Sequence, residues 1–249
     1  MRKNFVTALF LIHFSKCVKL PPSFKKCDLR DNNYNECLGK AVQNAIEQLT
    51  SPMEAVGLPD LEPLEVPSMV IGAGSGAVQF QQNYFDIKIG GLTKIDSLQV
   101  NFDLVEKRLT LDLHYSQVKM EFHYEINGKM LLLPIYGKGP GFIHFLGRPR
   151  FVFNFELQEY QKNKKKYFKV NNTSLLMEPQ LIKFHLENLF NGDKTLGDNV
   201  VQVMNDNWRE VFNDVRGSYE EAFSQIFGAI FNNLLNKIPI VELFDGWGL

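Results

Sequence analysis

Much is missing from this chain of 249 residues, and each absence excludes something. Cysteine is scarce, with 3 residues and no CxxC pair, so zinc-finger and dithiol-redox spacing are both absent. Neither sign of charge dominates: 27 Lys and Arg face 28 Asp and Glu, a balance of −1, which gives no footprint for nucleic acid. No apolar run reaches the about 20 residues that a membrane-spanning helix needs, so no stable membrane insertion is expected. No two of the 5 histidines stand at i+2 or i+4 from one another, so no metal is expected. Proline and glycine are common enough to punctuate the chain, and 45% of residues are hydrophobic, enough for a sizeable core.

The first residues read as a secretory leader, expected to span 1–17. Arg2 and Lys3 form its basic start, Phe5 to Phe14 its short apolar run, and Ser15 and Cys17 sit at the small-residue positions before a cut. Removing it takes away three bases and no acid, leaving 24 basic against 28 acidic residues, a balance of −4. The expected location is extracellular, with 18–249 as one domain. Cys27 and Cys37 remain, ten apart, and an oxidising compartment predicts a disulfide between them. Such a short loop would contribute about 2–3 kcal/mol by the chain-entropy model. The alternative is two free thiols.

The most regular stretch runs from Asp193 to Asn236. Leu196, Val200, Met204, Trp208, Val211, Phe212, Val215, Tyr219, Phe223, Phe227 and Ile230 recur in steps of three and four, the stripe of an α-helix. Asn205, Asp206, Arg209, Glu210, Asp214, Arg216, Glu220 and Gln225 mark the opposite, solvent face. The helix would be roughly 60 Å long, with Gly217 and Gly228 as the places where it could kink. A shorter amphipathic helix follows the capping-box-like pair Asn33 and Glu36 and carries Leu38, Val42, Ala45, Ile46 and Leu49. Prolines at 59, 63 and 67 forbid helix between these two segments and favour extended backbone laid on a surface.

From Ala77 the period is two. Val78, Phe80 and Gln82 begin it, then Leu98 to Leu104 and Leu109 to Tyr115. After Ser116-Gln117 the apolar set jumps from odd to even numbers, which predicts a β-bulge. Asn127-Gly128 predicts a type I′ hairpin turn, and Gly137, Gly139 and Gly141 predict a break or bend. Lys162 to Lys166 reads as a solvated basic turn, with docking to an anionic membrane as a minor alternative. Links are of hairpin length and βαβ units are absent. The fold class is α+β: a long C-terminal helix wrapped by a strongly curved antiparallel sheet.

This order of parts resembles the insect Takeout and juvenile hormone-binding protein family over nearly the whole mature chain. The resemblance rests on Cys27 and Cys37, on Leu58-Pro59-Asp60-Leu61-Glu62-Pro63-Leu64, on Tyr124-Glu125-Ile126-Asn127-Gly128 and on Leu131 to Gly139. It rests also on Asn188-Leu189-Phe190-Asn191-Gly192 and on Asn205-Asp206-Asn207-Trp208. Moth juvenile hormone-binding proteins carry a second disulfide, for which this chain has no cysteines, so it is more similar to the Takeout branch. The resemblance implies an internal hydrophobic tunnel for a lipid-like ligand.

Catalytic patterns are weak. Gly72-Ala73-Gly74-Ser75-Gly76-Ala77 fits GxGxxA by letter, but a period-two strand follows it where a dinucleotide fold needs a helix, so it reads as a flexible loop. Ser75 lacks the glycines of a nucleophile elbow. No enzyme and no cofactor are expected. The sequons at Asn171 and Asn172 are candidate glycan acceptors. The informative excess is 21 Phe. The candidate tunnel wall is Phe80, Phe102, Met120, Phe122, Tyr124, Leu131, Leu133, Phe142, Phe153, Phe184, Phe212, Phe223 and Phe227. The expected function is that of a secreted carrier of a small hydrophobic ligand of acyl or isoprenoid type. The alternative is a secreted signalling or interaction protein with a closed core. Lipid hydrolysis or isomerisation would require a nucleophile and base in the cavity. A cell-surface receptor is the one macromolecular partner this reading leaves open.

Overall fold

The computed structural model describes residues 18–247, so the expected leader at 1–17 lies outside the described residues. In chain order the elements are β1 (Cys27–Asp28), α1 (Tyr34–Glu47), β2 (Leu64–Ile71), β3 (Gln82–Gly90), β4 (Ile95–Asp103) and β5 (Arg108–Tyr115). There follow β6 (Val118–Met130), β7 (Leu133–Leu146), β8 (Arg150–Lys162), β9 (Lys165–Glu178) and β10 (Leu181–Leu186). The chain ends with α2 (Lys194–Asp206), α3 (Trp208–Leu235), α4 (Ile240–Leu243) and β11 (Phe244–Asp245).

The fold is α+β, with a long C-terminal helix packed against antiparallel strands. Hydrogen bonding divides those strands into two sheets, one of five in the order β10-β7-β6-β3-β2 and one of four in the order β4-β5-β8-β9. The odd-to-even jump after Tyr115 is the link between them rather than the expected bulge. β5 pairs only within the smaller sheet, and β6 starts at Val118 in the larger one. Tyr115 and Val118 are both buried, so crossing from sheet to sheet changes the parity while both side chains stay inside. Register shifts occur instead between Phe85 and Lys88, Ile95 and Ser97, and Glu156 and Leu157.

The glycines also act differently from expectation. Asn127 and Gly128 lie inside β6, opposite Tyr136 and Ile135, and the turn falls on Leu131 and Leu132, whose φ values are 47° and 69°. A Cβ on Gly128 would sit 2.5 Å from Cβ of Phe80, so the glycine admits the incoming segment before β3. β7 runs unbroken through Gly137, Gly139 and Gly141. A Cβ on either Gly139 or Gly141 would lie 2.6 Å from a carbonyl oxygen, that of Glu187 or His185, so these glycines let the chain around β10 pack close.

The C-terminal helix is interrupted once, at Asn207 (φ −111°, ψ 28°), and neither Gly217 nor Gly228 kinks it. Asp193 caps α2 by accepting from the Leu196 N–H at 3.0 Å. The capping box expected at Asn33 does not form: Asn33 makes no side-chain cap bond, and Glu36 pairs with Lys40 at 2.6 Å.

Several residues assigned to the solvent face of this helix seal sheet edges. Strands β10 and β9 are edge strands. Asn205 Oδ1 accepts from the Phe184 N–H at 2.8 Å while its Nδ2 donates to the Phe184 carbonyl at 3.0 Å. Glu220 accepts from the Met177 N–H at 2.8 Å, and Asn232, a residue outside that expected face, accepts from the Val170 N–H at 2.9 Å. Asp214 accepts from the N–H groups of Ser75, Gly76 and Val78 at 3.1, 2.8 and 2.8 Å, so the glycine-rich loop cradles a helix carboxylate. A helix laid along open strand edges thus supplies the partners their backbone groups require.

The other end is tied by the Cys27–Cys37 disulfide, with Cα atoms 6.0 Å apart, and by a parallel pairing of β1 with β11. Together they hold α1 near the C-terminus of α3. The proline-rich link is not laid wholly on the surface: Leu58, Leu61 and Leu64 are buried.

Candidate ligand cavity

A cavity of about 240 Å³ lies between α1, α3 and the four-stranded sheet. From α1 it takes Leu38, Ala41, Val42, Ala45, Ile46 and Leu49, the three-four spacing of one helix face. From α3 it takes Phe227, Ile230, Phe231, Leu234 and Leu235. The inward positions of β4, β5 and β8 add Phe102, Leu109, Leu113, Tyr115, Phe153 and Phe155. The rings interlock across it, with Phe153–Phe227 centroids 5.0 Å apart and Phe155–Phe231 4.8 Å apart. Phe227, Ile230, Phe231 and Leu234 are only partly buried although they belong to the apolar stripe of α3, because part of their surface faces this space. Lys25 and Tyr115 are the charged or hydroxyl-bearing members of the wall. Burial raises the Tyr115 hydroxyl far above the ordinary tyrosine pKa, so it stays protonated.

Two smaller chambers continue along α3. One of about 10 Å³ shares Leu92 and Phe227 with the main cavity. The next, of about 30 Å³, shares Phe145 with it. The expected tunnel therefore takes the form of chambers in a row, with aromatic side chains between them. The innermost chamber contains a polar cluster. The Tyr84 hydroxyl lies 2.7 Å from Gln82 Oε1 and 2.8 Å from the Tyr219 hydroxyl, and Tyr219 lies 3.1 Å from Gln82 Oε1. Burial raises both hydroxyl pKa values, so both remain neutral donors.

The candidate wall residues divide by chamber. Phe102, Phe153 and Phe227 line the main cavity, and Met120 and Phe223 the middle one. Phe80, Phe122, Tyr124, Phe184 and Phe212 line the innermost. Leu131, Leu133 and Phe142 line none of these. Leu131 forms the hairpin turn, and Leu133 beside it is 43% exposed. Phe142 points outward from β7, where Ile143 and Phe145 are the inward residues, and stacks between Lys119 and His185. The whole α1 face of the cavity was not among the candidates. Its amphipathic stripe was legible, but nothing local says which surface a short helix will cover. Asn171 and Asn172 are both exposed on β9, and Asn171 falls at the register shift opposite Glu156 and Leu157. Among the described residues no group of three or more His, Cys, Asp or Glu side chains converges as a metal site. No helix among them is long and apolar enough to cross a membrane.

A long helix laid on antiparallel strands, with an aromatic and aliphatic cavity between them, defines a class of α+β proteins with an apolar site between helix and sheet. The chain belongs to the haemolymph juvenile hormone binding protein family, whose sequence model matches residues 5–245. It is similar to the circadian clock-controlled protein daywake of Drosophila melanogaster, 27% identical over 232 residues that cover 90% of this chain and 88% of that protein. The daywake protein of Drosophila yakuba is 25% identical over 243 residues, with the same coverage of 90% and 88%. The crystal structure of Takeout 1 from Epiphyas postvittana has the same fold, with a TM-score of 0.76 at 24% identity over 88% of this chain and 98% of that one.

Proposed function

We propose that this protein is a secreted carrier that holds a small hydrophobic ligand between α1, α3 and the smaller sheet, and that it performs no catalysis. The observation that carries the reading is the main cavity. Its volume of about 240 Å³ stands just below the about 300–1,000 Å³ of ordinary small-molecule sites, and its wall is almost wholly aliphatic and aromatic. Burying each CH₂ of a guest there is worth about 0.8 kcal/mol, so an acyl or isoprenoid chain gains affinity with few polar contacts. The family's name, that of haemolymph proteins which bind juvenile hormone, supports the same ligand class. Secretion is supported by the leader-like start at 1–17, and one folded unit is proposed for 18–249. A glycan on Asn171 or Asn172 is proposed as well, since both side chains are exposed. The test is mass spectrometry of lipid extracted from protein purified out of a secreting host. An apolar compound in stoichiometric amount is expected, and repeated failure to find or load one would overturn the reading.

A further inference from the structure

The hairpin between β6 and β7 ends in leucines. Met130 pairs with Leu133, so Leu131 and Leu132 make up the whole turn. Both have left-handed backbone, with φ 47° and 69°, a conformation that asparagine and glycine adopt readily and leucine does not. Leu132 is 84% exposed, Leu133 43%, and Tyr136 behind them 41%. Exposed leucines scattered singly are ordinary, but adjacent ones on a turn of unfavourable backbone point to a use for the exposed surface.

The backbone holds this tip in place. The Leu131 N–H donates to the Ala77 carbonyl at 2.8 Å, and the Gln79 N–H donates to the Lys129 carbonyl at 2.9 Å. Leu131 packs partly on the core, which leaves Leu132 as the residue turned outward. The charge along this stretch is of one sign, since no Asp or Glu stands between Glu125 and Glu156. Lys129 is exposed just behind the turn, opposite Pro134, and Glu125 lies farther back, opposite Lys138. Asp214, which reaches the adjoining loop, is already held by three backbone N–H groups.

We propose that this tip docks the protein reversibly on phospholipid bilayers, with Leu132 entering the interface and Lys129 meeting anionic headgroups. A bilayer suits it better than a protein groove, because the tip is convex and carries no polar side chain at its end that a specific partner could recognise. One apolar anchor beside one base gives weak, reversible attachment and no span of the membrane. Met130, at the foot of the tip, lines the innermost chamber, so the docking end is also one end of the row of chambers. The basic turn at 162–166 lies at the other end of the molecule. Tyr160, just before it, donates to Asn236 Oδ1 at 3.1 Å beyond the C-terminal end of α3, whereas Val78, bridged to Met130, bonds Asp214 in that helix. From Asp214 to Asn236 is roughly 33 Å along the helix, so the two hairpin tips cannot share one flat surface patch.

The test measures flotation of the protein with vesicles of phosphatidylcholine alone, and of phosphatidylcholine with phosphatidylserine as the minor component. Leu132→Asn is the main variant, because asparagine accepts the left-handed backbone and the fold should not suffer. Its partition should fall at least about fivefold on both vesicles. Lys129→Gln should lower partition about fivefold on the anionic vesicles only. Lys162→Glu combined with Lys164→Glu, at the far end, should change neither. Equal partition of the native protein and Leu132→Asn overturns the proposal, and so does binding to neither vesicle. A loss in the far-end variant as large as that in Leu132→Asn overturns it by moving the docking surface to the basic turn. A dimer that Leu132→Asn abolishes, with no vesicle binding, overturns it by making the tip a contact between copies. If Leu132→Asn does not fold, Leu132→Trp decides. Its fluorescence should be quenched by vesicles with brominated acyl chains, beyond any quenching of the native protein, and an unquenched indole on bound protein overturns the proposal. Each of these failures leaves the carrier reading standing, since that is tested by the extracted lipid.

Discussion

Single residues carry more of this fold than their types suggest. Asp214 reads as one more charge on a solvated helix face, yet it accepts three backbone N–H groups from the loop at 75–78. A Cβ on Gly74 would lie 2.1 Å from its Oδ2, so that glycine is the room the carboxylate occupies. Asp214→Asn keeps the shape but replaces one acceptor with a donor. It should cost about 1–3 kcal/mol, measured by denaturant unfolding, where an exposed charge would cost almost nothing. A second carboxylate sets an acid limit. Asp112 is gripped by Arg150 at 2.8 and 2.7 Å, and that guanidinium holds its pKa below the ordinary 3.8. A depressed folded pKa gives stability that is complete above the unfolded value and lost as pH falls through the folded one. Thermal melts should therefore be flat from about pH 7 to 5 with respect to this pair and decline below about pH 4, and Asp112→Asn should lower the plateau and flatten that decline.

At the scale of elements, the local signals gave the helices and the strands after Ala77, did not give strand β2 at Leu64–Ile71, and misplaced the joints. The hairpin turn belongs to Leu131 and Leu132, although Asn127-Gly128 is the better turn sequence. Close approach of Phe80 to the backbone needed that glycine, and the requirement outweighed turn propensity. The parity change after Tyr115 is invisible as a sheet switch in one dimension, because a bulge and a crossing leave the same pattern. The helix breaks at Asn207, where the side chain donates to the Val203 carbonyl at 2.8 Å, and passes straight through two glycines. Helix and edge strand are joined by side chains such as Asn205. Asn205→Ala would leave both backbone groups of Phe184 without their partners. A loss of about 1–3 kcal/mol is expected, with faster hydrogen exchange confined to β10. A change within about 0.5 kcal/mol would mean that these bonds do not hold the edge.

For the whole molecule the decisive question is whether the space between helix and sheets is needed. Ala45 stands on the α1 wall of the main cavity. Ala45→Trp would place an indole into space that is already open, so stability should change little while lipid loading falls at least tenfold. Filling a close-packed core would instead destabilise by about 1–3 kcal/mol. A loaded variant with an unchanged extract would remove the cavity from the mechanism. The sequence by itself determined the apolar stripe of the C-terminal helix, the period-two strands and the Phe-rich inner surface, because these are periodicities that one chain carries locally. Only the tertiary structure decided that polar residues of the helix seal strand edges, that α1 closes the cavity, and that Gln82, Tyr84 and Tyr219 meet inside. The last of these alone joins residues 137 positions apart. No local pattern encodes which distant backbone group a side chain will satisfy, since that is set by how two sheets and a helix share one interior.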